Sequence, residues 1–319
     1  MARLMAPVSA TFVFSSPAFA HPGRELEPGQ FWAAWTADPW VLLGIGLPSL
    51  LYARGVNRVW GRAGPGRGVS RWQFRSFCAG VAALMLALVT PLHALGGALF
   101  SGHMVQHQVL MLAAAPLLVA GAPNVAFAWA LPRRWVQGAA GAIRRQPLML
   151  AWRTLSHPAG AGAVFALALW GWHVPGPYQA TLESDLAHAA QHASFLAAAV
   201  LFWWVVARGW RVRERAGTAL LLVFATMIHG NALGALLTFS AVAWYPAYAE
   251  SAARWGVSAL EDQQLGGLVM WVPSGLVYLL AALALVTAAL RGSAASRRLP
   301  LDSEPGRPVA KHAACMPPS

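Results

Sequence analysis

Seven apolar stretches, at residues 40–53, 77–99, 104–120, 160–173, 186–207, 218–239 and 265–290, constrain the fold of this chain more than any other feature. Crossing the hydrocarbon core of a bilayer takes about 20 apolar residues in a helix. No water is available there to satisfy open backbone, so each crossing segment must close its own hydrogen bonds. The pattern predicts an all-α integral membrane protein with about seven transmembrane helices. The first and fourth stretches are short and draw on interfacial residues to complete them, as Phe31, Trp32 and Trp35 do for the first. Charge density agrees, since 11% of residues are charged against roughly a quarter in a soluble domain.

Orientation follows from arginine, because positively charged loops stay in the cytoplasm. The first loop carries Arg54, Arg58, Arg62, Arg67, Arg71 and Arg75, the third Arg133, Arg134, Arg144, Arg145 and Arg153, and the fifth Arg208, Arg211, Arg213 and Arg215. Alternate connections carry Glu183 and Asp185, or Glu250, Arg254, Glu261 and Asp262. This asymmetry places the N-terminus outside and the C-terminus in the cytoplasm, as expected in a bacterial inner membrane. It also reads the formal net charge of +12 as topology and excludes a nucleic-acid surface. The expected organisation is a signal peptide at 1–20, an exported segment at 21–38, a seven-helix membrane domain at 39–291 and a disordered cytoplasmic tail at 292–319. Residues 132–157 have helical periodicity with paired arginines, the pattern of an amphipathic helix on the inner surface.

Both cysteines, Cys78 and Cys315, fall on the cytoplasmic side of this map. An outer metal site must then use histidine, methionine or carboxylate. His93, His103, His107, His173, His188 and His192 all fall near the outer ends of their stretches, and His229 lies about 15 Å deeper, toward the midplane. The spacing of four in His103/His107 and in His188/His192 sets each pair on one helix face. Imidazole ligates copper, zinc and iron, and ionisable groups within membranes are costly and usually functional. Met104, Met111, Met227 and Met270 offer soft thioethers suited to Cu(I). Asp262, at a predicted helix start, either caps free amides or orients a ligating histidine. Cleavage after Ala20 would give His21 a free amine beside its imidazole.

Several segments together resemble the CtaG-type cytochrome c oxidase assembly factors associated with caa-type oxidases. They are His103-Met104-Val105-Gln106-His107, the stretch 116–123, Trp172-His173 with Pro175 and Tyr178, residues 188–195, and Leu237-Thr238-Phe239 with Tyr245-Pro246-Ala247-Tyr248. Asp262-Gln263-Gln264-Leu265-Gly266-Gly267, leading to Met270-Trp271, completes the set. The resemblance implies a multi-pass plasma-membrane protein, not an enzyme, needed to make active oxidase by handling copper or stabilising an assembling subunit. Its expected partners are oxidase subunits, a periplasmic copper carrier and membrane lipid.

The leading expectation is copper bound through His93, His103, His107, His173, His188, His192 and His229, with Met104, Asp262 and Met270 in supporting positions. Three rivals stand beside it. A membrane cytochrome would use facing histidines as axial haem ligands, and a metal-free chaperone would use them for packing. A copper permease would need ligands through the full membrane depth, whereas these histidines gather on one side.

Overall fold

The computed structural model describes residues 26–296, and all regular structure among them is helical. The expected signal peptide, His21 and the tail beyond residue 296 lie outside the described residues. Helix α1 spans Pro39–Ala63, α2 Arg71–Leu88, α3 Pro91–Ala98 and α4 Phe100–Gln108. A π-helical segment, Val109–Ala114, joins α4 to α5 (Ala115–Ala120), and α6 follows at Pro123–Ala130. Then come α7 (Arg133–Ile143), α8 (Gln146–Leu155), α9 (Pro158–His173), α10 (Pro175–Glu183) and α11 (Asp185–Arg211). The series ends with α12 (Ala216–Thr238), α13 (Ala249–Arg254) and α14 (Ala259–Ser296).

Five units are long and apolar enough to cross a membrane: α1, the continuous run 100–120, α11, α12 and α14. Helices α2 and α3 meet at a 43° bend and are together long and apolar enough for a broken span or a re-entrant loop, which gives five or six candidate spans among the described residues. The remaining expected span forms α9, whose 16 residues reach about 24 Å, short of the roughly 30 Å hydrocarbon core. Outward faces carry exposed Leu43, Leu50, Leu221, Phe224, Leu276 and Leu283, as lipid-facing helices do. The polar side chains turn inward.

Without a hydrophobic drive between helices in lipid, close packing depends on small residues. A Cβ on Gly267 would strike Thr238 Oγ1 and the Gly234 carbonyl, and one on Gly234 would come within 2.8 Å of Trp271 Cβ, so α12 and α14 pack backbone to backbone. Gly55 does the same for α1, since a Cβ there would strike the Ala126 carbonyl on α6.

The π-segment has a local cause. Pro116 has no amide hydrogen, so neither the Leu112 carbonyl in an α register nor the Met111 carbonyl in a π register can use it. The Ala115 amide bonds back to the Leu110 carbonyl, five residues away. The Met111 carbonyl thereby left over accepts from Trp203 Nε1 on α11 at 2.8 Å. Such π-turns recur at functional sites, and this one begins two residues after His107.

Helices α7 and α8 bury none of their residues, and Trp135, Ile143, Leu148 and Leu150 remain exposed on them. The expected single surface helix at 132–157 is therefore two, separated at Arg144 and Arg145.

Candidate functional site

Asp262 organises the upper end of the bundle. Its carboxylate accepts from the Phe100 amide at 2.6 Å, from the Ser101 amide at 3.1 Å and from the Ser101 hydroxyl. The N-cap position of α4 is Leu99, which has no side-chain acceptor, so a carboxylate from α14 takes over. The interaction is capping, applied to a neighbouring helix, and it fixes the turn that carries His103. The next two residues hold the adjoining loop. Gln263 Oε1 accepts from the Trp244 amide at 2.6 Å, and Gln264 Nε2 donates to the Ser240 carbonyl at 3.1 Å.

Six of the seven singled-out histidines converge. His103 and His107 rings lie 4.4 Å apart between centroids, and His188 and His192 lie 4.3 Å apart. Across helices, His103 meets His188 at 5.1 Å and His192 at 5.5 Å, while His93 meets His188 at 5.4 Å. His107 meets His192 at 5.2 Å and His173 at 6.2 Å. One nitrogen each from His103, His188 and His192 forms a set within 4.8 Å of one another, and all three residues are buried. His229 stands apart on α12, half-buried, with its Nδ1 accepting from Trp170 Nε1 at 3.4 Å. Its ring packs near Phe165, and no ring contact joins it to the six among the described residues.

Hydrogen bonds assign several ring protons. Gln106 Nε2 donates to the Ala87 carbonyl at 2.7 Å, which fixes the amide orientation, so its other hydrogen goes to His93 Nδ1 at 3.0 Å. A neutral imidazole has one lone pair, and that of His93 is thus engaged. His173 Nδ1 lies 2.6 Å from the Leu169 carbonyl. A carbonyl only accepts, so His173 carries its proton on Nδ1 and presents a bare Nε2. His103 Nε2 pairs with Gln191 Oε1 at 3.0 Å.

Three tyrosines close one end of the site. Tyr178 and Tyr248 hydroxyls lie 3.0 Å apart, Tyr248 donates to the Gly96 carbonyl at 3.1 Å, and Tyr245 donates to the carbonyl of His173 at 2.7 Å. All three are buried. Burial also raises the Tyr245 hydroxyl above the ordinary phenol range, which keeps it a neutral donor. Of the methionines, Met104 is buried against Phe100 and Gly266. Met111 and Met270 line a small pocket beneath the cluster with Gln108 and Ser274.

Gln191 and Gln106 were not singled out from the sequence, although a signal was present. Both histidine pairs read His-x-x-Gln-His, which sets each glutamine on the histidine face of its helix.

A family model described as cytochrome c oxidase caa3 assembly factor (Caa3_CtaG) matches residues 50–292. The chain belongs to this family. The Caa3_CtaG match takes in the whole of the Asp262 cap, the six converging histidines and His229. Two curated relatives, uncharacterized proteins of Mycobacterium bovis and Mycobacterium tuberculosis, are each 28% identical over 214 residues. That alignment covers 65% of this chain and 32% of either relative, so the chain spans about a third of their length. No solved structure matches.

Proposed function

We propose that this Caa3_CtaG protein supports oxidase assembly by holding copper, as Cu(I), in the buried histidine cluster at the outer side of a bacterial inner membrane. The observation that carries the reading is the set formed by His103, His188 and His192, whose ligand atoms lie within 4.8 Å of one another. Imidazoles sharing one ion at a metal–nitrogen distance of about 2 Å bring their nitrogens to within roughly 4 Å, a small adjustment from this arrangement. His103 Nε2 would exchange Gln191 for the metal, or His103 would bind through its other nitrogen.

The donor set supports a monocation. No carboxylate joins the group among the described residues, and a doubly charged ion among neutral ligands in an apolar surround would keep much of its desolvation cost. Imidazole suits copper in either oxidation state. The close packing of the imidazoles against one another favours one small ion over haem, whose axial histidines must stand on either side of a macrocycle. Copper held here would be delivered to oxidase subunits, from a periplasmic carrier, in a chain of seven membrane helices with its N-terminus outside. What the bound ion supplies is a thiol-free store of copper at membrane depth. The residues themselves hold it, exclude water and orient one another.

Copper content of detergent-purified protein, with its absorption spectrum, tests the reading. Stoichiometric copper, lost from the three-histidine position together with oxidase maturation in His188→Ala, is the expected result. Metal-free protein that restores the oxidase would leave the metal-free chaperone standing, and a Soret band would favour the cytochrome.

A further inference from the structure

The set His103/His188/His192 leaves out two histidines that are equally enclosed. His107 and His173 are each 2% exposed. Neither ring nitrogen of His107 has a partner in ordinary hydrogen-bond geometry, and the Gln191 amide is the polar group that faces the ring. His173 Nε2 is likewise buried and without a partner, while its Nδ1 is committed to the Leu169 carbonyl. Buried polar atoms in folded proteins are nearly always satisfied. Two facing imidazoles that together leave three nitrogens unmet are therefore an arrangement in need of a ligand.

We infer that His107 and His173 form a second Cu(I) position, adjoining the first and distinct from it. The inference rests on reading the cluster as a copper site. The spacing of the two rings fits two nitrogens in line. Two imidazoles on opposite sides of one ion, each at a metal–nitrogen distance of about 2 Å, set their ring centroids roughly 6 Å apart, and the observed separation is 6.2 Å. Copper(I) accepts such two-coordinate binding, whereas zinc and Cu(II) require more ligands. The hydrogen bond from Nδ1 to Leu169 fixes the His173 tautomer that presents a lone pair, the usual role of the far nitrogen in a ligating histidine. His107 lies between the two positions, 4.4 Å from His103 and 6.2 Å from His173 between ring centroids, so an ion can pass from one to the other by a turn of its ring.

The test loads the full-length protein in detergent with Cu(I) under ascorbate and without oxygen, then measures copper per chain after desalting and the copper X-ray absorption spectrum. Wild type should retain two ions, with a mean nitrogen coordination between two and three. His107→Gln and His173→Gln should each lose one ion. His188→Gln/His192→Gln should keep one ion in a two-nitrogen linear site, which its absorption edge reports independently of how well the other variants fold. A single ion in wild type, unchanged by His107→Gln and His173→Gln, would overturn the second position and leave the first intact. A single ion lost in every variant would mean one shared site and overturn it too. Protein that takes up no Cu(I) would overturn both readings.

Discussion

Asp262 holds the backbone amide of Phe100 at 2.6 Å across 162 residues of sequence, so the first turn of the histidine-bearing helix α4 is capped by α14. The carboxylate is 1% exposed. Its removal leaves two buried amides without an acceptor, at about 1–3 kcal/mol for each. Asp262→Ala should therefore lower the thermal midpoint in detergent sharply and weaken copper retention. Ser101→Ala, which removes one of the three donors, should cost only about 1 kcal/mol. Equal midpoints for Asp262→Ala and wild type would show that the cap carries no stability.

His192→Ala should abolish copper retention in the three-histidine position and with it oxidase maturation, while membrane insertion and helical content persist. His157 provides the control. It is exposed at the N-cap of α9, where its Nδ1 accepts from the Ala159 amide at 3.3 Å. His157→Ala should cost less than about 1 kcal/mol and leave copper and maturation near wild type. Comparable damage from both substitutions would detach function from the cluster.

Trp203→Phe should destabilise by about 1–3 kcal/mol, because the Met111 carbonyl loses the donor that replaces the one missing at Pro116. Thermal unfolding followed by circular dichroism measures it. Little change would mean that the carbonyl finds another partner.

Gly267→Ala should force α12 and α14 apart, since its Cβ would meet backbone and not the end of a flexible side chain. The expected loss is about 1–3 kcal/mol. Gly171→Ala adds a methyl where nothing lies within 4 Å, and should change stability by no more than about 0.5 kcal/mol.

The proposed orientation predicts that alkaline phosphatase, active only outside the cytoplasm, is active when fused at Ala249 and inactive when fused after Leu290. The reverse pattern would invert the map derived from arginine.

Much of the architecture was legible because hydrophobic length and the four-residue spacing are local properties. Each apolar stretch became a helix or a bent helix pair, and both His-x-x-x-His pairs point inward together. The bend at Val89 and Thr90 was hidden because apolar residues continue through it, although Pro91 marks the restart. The partner of Asp262 was hidden for a different reason. A cap normally serves its own helix, and nothing near residue 262 signals an amide 162 positions earlier. His229 was expected among the ligands at a deeper level than the other six, but depth fixes height in the membrane and not the direction a helix faces. The structure turns it toward Trp170 and Phe165.

The π-turn at Val109–Ala114 also bears on descent. A π-turn is an α-helix with one residue added, the excess being absorbed in a single widened loop of backbone. The flanking turns keep the facing they would have had without it. A homologue one residue shorter between His107 and Pro116 would therefore still aim the same histidines inward, whereas a one-residue change between His103 and His107 would swing one of them by about 100°. Length variation in this span should be tolerated below the cluster and purged within it.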